Sequence, residues 1–212
     1  MRKPLNNFYV VIVSIIRVLC KIVFPYTVEG LEELPQERVL LCPNHSSDLD
    51  PVLIAAALPT NYRCHFMGKE ELFRNPVLNW AFRKMGGFPV SRGNNDIQAV
   101  KTAIQILKRD DNLLIFPEGT VIRDGIGYVD GLPAHATGGV AMIGIRTGAK
   151  LVPVYCGGPK KPFRKTRIIF GKPIEPVYTG RNGTAEEMQA IADQILKEAY
   201  ALGGCAVGGK PL

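Results

Sequence analysis

The chain has 212 residues, 46% of them apolar, which is enough for one domain with a substantial core and too apolar for a disordered segment. Its 26 Lys and Arg against 19 Asp and Glu leave a formal charge of +7, suited to an anionic partner, but the basic residues are scattered and no zinc-knuckle or RNP-type pattern is present, which argues against nucleic acid. Five cysteines, an odd number without a Cys-x2-Cys pair, fit free thiols in a reducing compartment; for a metal the one candidate cluster is His45 with Asp48 and Asp50, too thin a set to predict a site.

In chain order, residues 8–24 are rich in Val and Ile but interrupted by Arg17 and Lys21, and no small-residue cleavage pattern follows. This reads neither as a signal peptide nor as a membrane span. On a helix, Asn7, Ser14, Arg17 and Lys21 form a narrow polar stripe, while Phe8, Ile12, Ile15, Ile16, Leu19, Ile22 and Val23 cover most of the rest. A charge at mid-bilayer costs about 2.5 to 3.5 kcal/mol, so the expected pose lies in the membrane interface with the stripe toward water. The alternative is a core helix docked on the domain.

Residues 26–30 and 38–42 read as strands, the second buried and ending at Asn44-His45. Asp50-Pro51 has the form of an N-cap with proline at the first helical position, opening a helix over 52–58. A strand at 63–68, a helix at 75–84 and a short strand at 88–90 follow. Asn94 or Asn95 can cap a helix in which Ile97, Val100, Ile104 and Leu107 recur at helical spacing. Then come a strand at 113–116, a helix at 140–146 stopped near Gly148, and strands at 151–155 and 167–170. The last helix carries a capping box, Thr184 with Glu187, and an apolar stripe of Met188, Ile191, Ile195 and Leu196. Strands alternating with helices predict an α/β fold, a single domain with a mainly parallel or mixed sheet flanked by helices. The expected division is 1–25 as an amphipathic membrane-associating helix, 26–202 as the folded domain and 203–212 as a loose tail.

The chemistry concentrates at two strand ends. Asn44-His45-Ser46-Ser47-Asp48-Leu49-Asp50 places an imidazole close to two carboxylates; a neutral histidine can take a proton from a hydroxyl, and a carboxylate on its other nitrogen fixes the tautomer. On spacing alone Asp50 serves equally well as a helix cap or as the histidine's partner, and Asp48 is a second candidate. Ser46 and Ser47 invite a serine hydrolase, but Gly-x-Ser-x-Gly is absent from the chain. The second strand end is Phe116-Pro117-Glu118-Gly119-Thr120, where Glu118 can accept hydrogen bonds from a polyol or pair with an arginine structurally. Gly119 permits close backbone approach and Thr120 offers a hydroxyl.

Together these segments resemble the glycerolipid acyltransferase family, whose best-known members are the 1-acyl-glycerol-3-phosphate acyltransferases. His45 and Asp50 fall on the family's His-x4-Asp motif and Phe116-Pro117-Glu118-Gly119-Thr120 on its Phe-Pro-Glu-Gly-Thr block. Gly86-Gly87-Phe88-Pro89-Val90-Ser91-Arg92 is similar to its second block and Leu151-Val152-Pro153-Val154 to its fourth, so four blocks lie in order between residues 44 and 154. The resemblance implies transfer of a fatty acyl group from an acyl carrier protein or coenzyme A thioester to a lysophospholipid hydroxyl, making phosphatidic acid when the acceptor is 1-acyl-glycerol-3-phosphate. It implies His45 as general base, Asp50 as its orienting partner, and Arg92, Glu118, Gly119, Thr120 and Arg123 around the acceptor. No metal or other cofactor is implied. The expected place is the cytoplasmic face of the cell membrane, as a peripheral or monotopic protein. Val121 departs from the pattern, since the family block usually continues with arginine there, and only Arg123 matches a second basic position. That departure keeps another acceptor open, such as glycerol 3-phosphate or a lysolipid without phosphate; the alternative from another class is a lipid-binding protein of the membrane surface that keeps the fold without turnover.

Overall fold

Strand β2 (Val39–Pro43) is buried along its whole length, and the sheet is organised around it. A computed structural model describes residues 7–60, 62–91, 97–122, 128–129, 132–157 and 160–207. The strands are β1 (Tyr26–Glu29), β2, β3 (Cys64–Lys69), β4 (Gly87–Val90), β5 (Asn112–Leu114), β6 (Tyr128–Val129), β7 (Leu132–Pro133), β8 (Lys150–Cys156) and β9 (Thr166–Phe170). The helices are α1 (Asn7–Val23), α2 (Asp50–Ala57), α3 (Pro76–Lys84), α4 (Ile97–Lys108), α5 (Gly139–Thr147) and α6 (Ala185–Leu202). Seven strands form one sheet in the order β1-β9-β8-β2-β5-β3-β4, and β6 and β7 form a separate antiparallel hairpin. All pairings in the large sheet are parallel except β8 with β9, so the expected α/β domain with a mixed sheet is what forms.

Successive side chains of a strand point to opposite faces. Leu40 and Cys42 accordingly enter a core with Ala103, Leu107, Val140, Ile195 and Tyr200 from α4, α5 and α6. Val39 and Leu41 enter a second core with Leu53, Ile54 and Cys20 from α2 and α1. Burial on both faces explains why β2 reads as a continuous apolar run. Two buried asparagines staple its ends. The Asn112 side chain accepts from Val39 N over 3.2 Å and donates to Arg63 O over 3.0 Å; Asn44 accepts from Cys156 N over 2.7 Å and donates to Cys156 O over 3.2 Å. The second staple fixes the carboxyl end of β2 against that of β8.

Local signals hold at several helix ends. Asn75 caps α3 by accepting from Val77 N and Leu78 N, Thr184 and Glu187 form the capping box of α6, and Gly148 ends α5 at φ 64°, a left-handed turn open to glycine. Three features differ from the sequence reading. Asp50 is the first residue of α2 and Leu49 occupies the cap position without a side-chain bond, because the Asp50 carboxylate turns back toward the chain before it. Residues 203–207, expected to be loose, turn back on α6, with Cys205 N donating to Tyr200 O and Cys205 and Val207 packed on the core. Asn94 and Asn95 lie outside the described residues.

The third difference concerns α1. Arg17, placed toward water by the stripe argument, points into the domain and donates to Ala56 O over 2.8 Å and Leu58 O over 2.6 Å at the carboxyl end of α2. Helix-terminal carbonyls lack intrahelical partners and carry partial negative charge, so a guanidinium is well matched there. Tyr9, Val13 and Cys20 are buried on the same side, whereas Val11, Ile15, Val18, Leu19 and Ile22 are each at least half exposed. The helix is docked through Tyr9, Val13, Ile16, Arg17 and Cys20 and presents an apolar face outward. Among the described residues no helix is long and apolar enough to cross a membrane.

Candidate active site

Chain reversals at the carboxyl ends of parallel strands leave a crevice where binding groups collect. Here β2 delivers His45, β5 delivers Glu118, and β8 delivers Cys156. Asp50 is fully buried and its Oδ2 is 3.1 Å from His45 Nδ1, while the same oxygen accepts the N–H groups of Ser46 at 2.7 Å and Ser47 at 2.8 Å. Burial by itself would raise the Asp50 carboxyl, but the His45 hydrogen bond, the charge and hydrogen bond of Lys160 and the Ser47 N–H outweigh it and hold the group below the usual carboxylate range. An ionised Asp50 can only accept, so Nδ1 of His45 carries the proton, and in the neutral imidazole Nε2 is the nitrogen with the lone pair. The Phe116 ring stacks on the imidazole at 3.7 Å between centroids and 18° between planes, fixing the ring's orientation from its face. A tenth of the His45 side chain remains exposed.

Spacing left Asp48 as a second candidate partner. The structure separates the two: Asp48 is largely exposed and pairs with Lys69 at 3.4 Å. The conceivable metal set of His45, Asp48 and Asp50 therefore does not converge, and among the described residues no group of three His, Cys, Asp or Glu could hold a metal ion.

Glu118 is buried, with Oε2 accepting His45 N–H at 2.6 Å and Oε1 accepting the Tyr200 hydroxyl at 2.6 Å. Its carboxylate thus ties the β5 corner to the backbone of His45. Gly119, at φ 67°, and Thr120 are exposed at the same corner, and Ile122 N donates to His45 O at 2.6 Å, so the segment after Thr120 runs along the histidine. Arg92 and Arg123 lie outside the described residues.

Two participants were missed in the sequence. Tyr200 sits in the apolar stripe of α6, where nothing distinguishes it from a core aromatic. Lys160 belongs to a basic stretch with Lys161, Arg164 and Lys165 that reads as a solvated loop. Its side chain is instead fully buried, with Nζ 2.9 Å from Asp50 Oδ1. The Cys156 thiol donates to that oxygen at 3.4 Å. Burial, then the Asp50 charge, pushes the Cys156 thiol far up, and burial does the same to Cys42, so neither is a ready nucleophile.

A buried imidazole and carboxylate at the carboxyl ends of parallel strands form an acid/base pair of the kind that can take a proton from a hydroxyl. The sequence profile of the family described as Acyltransferase matches residues 25–157, more than half of the chain, and the chain belongs to that family. It is 30% identical over 173 residues to a 1-acyl-sn-glycerol-3-phosphate acyltransferase of Streptococcus pneumoniae, covering 78% of this chain and 61% of that protein. It is 29% identical over 171 residues to the enzyme of that name from Bacillus subtilis, covering 77% and 81%. The crystal structure of the 1-acyl-sn-glycerophosphate (LPA) acyltransferase of Thermotoga maritima has the same fold, with a TM-score of 0.67 at 22% identity over 93% of this chain and 82% of that one.

Proposed function

We propose that the protein moves a fatty acyl group from a thioester of acyl carrier protein or coenzyme A to the free hydroxyl of 1-acyl-glycerol-3-phosphate, producing phosphatidic acid. The observation that carries this reading is the Asp50–His45 pair, in which an ionised, buried carboxylate fixes Nδ1–H and leaves Nε2 as the base. Relatives bearing the name of that activity support the choice of acceptor.

In this mechanism Nε2 takes the acceptor's hydroxyl proton as the oxygen attacks the thioester carbonyl carbon. The C–O bond forms, the tetrahedral intermediate collapses with cleavage of the C–S bond, and the imidazolium returns the proton to the departing thiolate. General base catalysis of this kind is worth roughly 10²- to 10⁴-fold. Transfer is direct, in keeping with thiols at Cys42 and Cys156 that burial holds protonated. No metal or redox cofactor takes part. Thr120 and backbone N–H groups stabilise the oxyanion, and Gly119, Thr120, Arg92 and Arg123 hold the glycerol phosphate, with paired guanidinium donors suited to phosphate. Glu118 serves the same corner by holding the main chain of His45. The outward apolar face of α1 is the attachment to a membrane surface, and five free cysteines agree with its cytoplasmic side.

The test is release of free thiol when the purified protein is mixed with acyl thioester and 1-acyl-glycerol-3-phosphate, with the lipid product identified by mass spectrometry. Release and phosphatidic acid are expected, and His45→Ala should abolish both. Absence of release with every lysolipid in a mixed pool would turn the reading to a lipid-binding protein.

A further inference from the structure

We infer that Lys160 is a positioning residue of the catalytic dyad: its ammonium anchors the free oxygen of Asp50 and offsets part of the carboxylate's charge, so that His45 remains an unprotonated base to lower pH than Asp50 alone would allow. This rests on the reading of His45 as general base.

The geometry is specific. The side chains of Lys160 and Asp50 are both fully buried, with 2.9 Å between Nζ and Oδ1, and Oδ1 is the oxygen that does not contact His45. Nζ also donates to Ser46 Oγ at 2.9 Å, to Cys156 O at 3.4 Å and to Gly157 O. An ammonium has three donors, and here they are aimed at the carboxylate, at the residue after the histidine and at the carbonyls that end β8. The cation is therefore held by the same strand ends that carry the dyad. A buried charge pair is costly to desolvate and is a weak reason for stability in itself, so its location matters more than its existence. This one shares the carboxylate that orients the base.

The electrostatic sign follows from the groups around the imidazole. From its own corner come Asp50 and, outside, Asp48 paired with Lys69. From β5 comes Glu118, which is bonded to Tyr200 of α6, and from β8 come the Cys156 thiol and Lys160. Asp50 and Glu118 favour an imidazolium, and Lys160 is the cation bonded directly to the dyad. Removing it raises the pH at which His45 must lose its proton before it can act.

The test combines rate and spectroscopy on the full chain. In Lys160→Met and Lys160→Gln the acid limb of the pH profile of kcat/KM should move up by about two pH units, the order expected for one charge about 6 Å away at an effective dielectric near 20. Gln keeps a donor for Asp50 and should recover the plateau above the limb better than Met, without restoring the limb's position. The His45 ring proton, observed by histidine-selective labelling and identified by its loss in His45→Ala, should titrate at higher pH in both variants by the same amount. That readout needs no acyl substrate, so it stands if the acceptor assignment fails. An unmoved limb and unmoved ring titration, with only a lowered melting temperature, would overturn the proposal and leave a structural ion pair. Should both variants fail to fold, Asp50→Asn and Asp50→Asn/Lys160→Met decide the matter: the ring must titrate at higher pH in the double variant, and equal titration overturns the proposal.

Discussion

The hydroxyl of Tyr200, near the end of the last helix, reaches the active-site corner through a single carboxylate: it donates to Glu118 Oε1 at 2.6 Å, and Glu118 Oε2 accepts His45 N–H at 2.6 Å. Helix α6 thus sets the main-chain position of the histidine some 155 residues earlier in the chain (Tyr200 minus His45). A buried carboxylate left with one partner fewer costs about 1.5 to 3 kcal/mol. Tyr200→Phe should lower stability by that order, and Glu118→Gln should lower kcat with little change in the acceptor's KM. A rise in KM at constant kcat for Glu118→Gln would instead identify it as an acceptor ligand.

The two aspartates at the first corner should behave differently. Asp50→Asn removes the acceptor that keeps Nδ1 protonated and should cost several orders of magnitude in kcat, as wrong-tautomer variants of His–Asp pairs do. Asp48→Asn loses an exposed pair with Lys69, worth about 0 to 1 kcal/mol, and should retain near-normal turnover. Steady-state rates of the two purified variants, with circular dichroism as a control, make the comparison.

Asp50 also links stability to pH. Its carboxyl binds a proton more weakly in the folded protein than in the unfolded chain, where the value is about 3.9, so the group's contribution is complete above the unfolded value and lost as pH falls below it through the folded value. The urea midpoint of the wild type should therefore approach that of Asp50→Asn as pH drops below about 4. A gap that stays constant down to pH 2 would mean that the carboxylate's bonds contribute nothing net.

Helix α1 offers a paired test of docking against membrane attachment. Arg17→Ala removes two hydrogen bonds to the end of α2 and should destabilise the fold by about 1 to 3 kcal/mol while sparing vesicle binding. Val11→Ser with Val18→Ser alters side chains 55% and 59% exposed and should leave the melting temperature within a degree or two. The same pair should weaken co-sedimentation with phosphatidylglycerol vesicles, because each apolar side chain withdrawn from the interface loses transfer free energy. Full binding by this double variant would move the membrane contact to another surface.

Val121 stands beside the segment whose Ile122 N–H bonds His45 O, close to where an acceptor phosphate must lie if Thr120 contacts the glycerol. Val121→Arg should lower KM for 1-acyl-glycerol-3-phosphate, a charged hydrogen bond being worth about 1.5 to 3 kcal/mol. Arg123→Ala should raise it while sparing lysolipids without phosphate. The opposite pattern would select a non-phosphate acceptor.

Local rules carried the sequence reading a long way. Thr184 with Glu187, and Gly148 after a periodic run, mark helix ends through contacts made within a few residues, and they reappear as caps. The apolar run of β2 records burial on two faces, and His45 and Asp50 are close enough in sequence for a single corner to join them. What the chain order leaves open is every partnership across the sheet. The insertion of β5 between β2 and β3 brings Glu118 to His45, and that of β8 on the other side brings Lys160 to Asp50.

The amino-acid sequence by itself therefore determined the alternation of strands and helices, the two polar strand ends and the histidine with its nearby aspartates at the first, since these depend on interactions within one turn or one corner. Only the tertiary structure decided that Asp50 faces His45 rather than its own helix, that Arg17 turns inward and leaves apolar residues outside, and that a loop lysine and a core tyrosine complete the site. The physical reason is that a buried charge must find its counter-charge wherever the fold supplies one, and the distance along the chain to that partner carries no local signature.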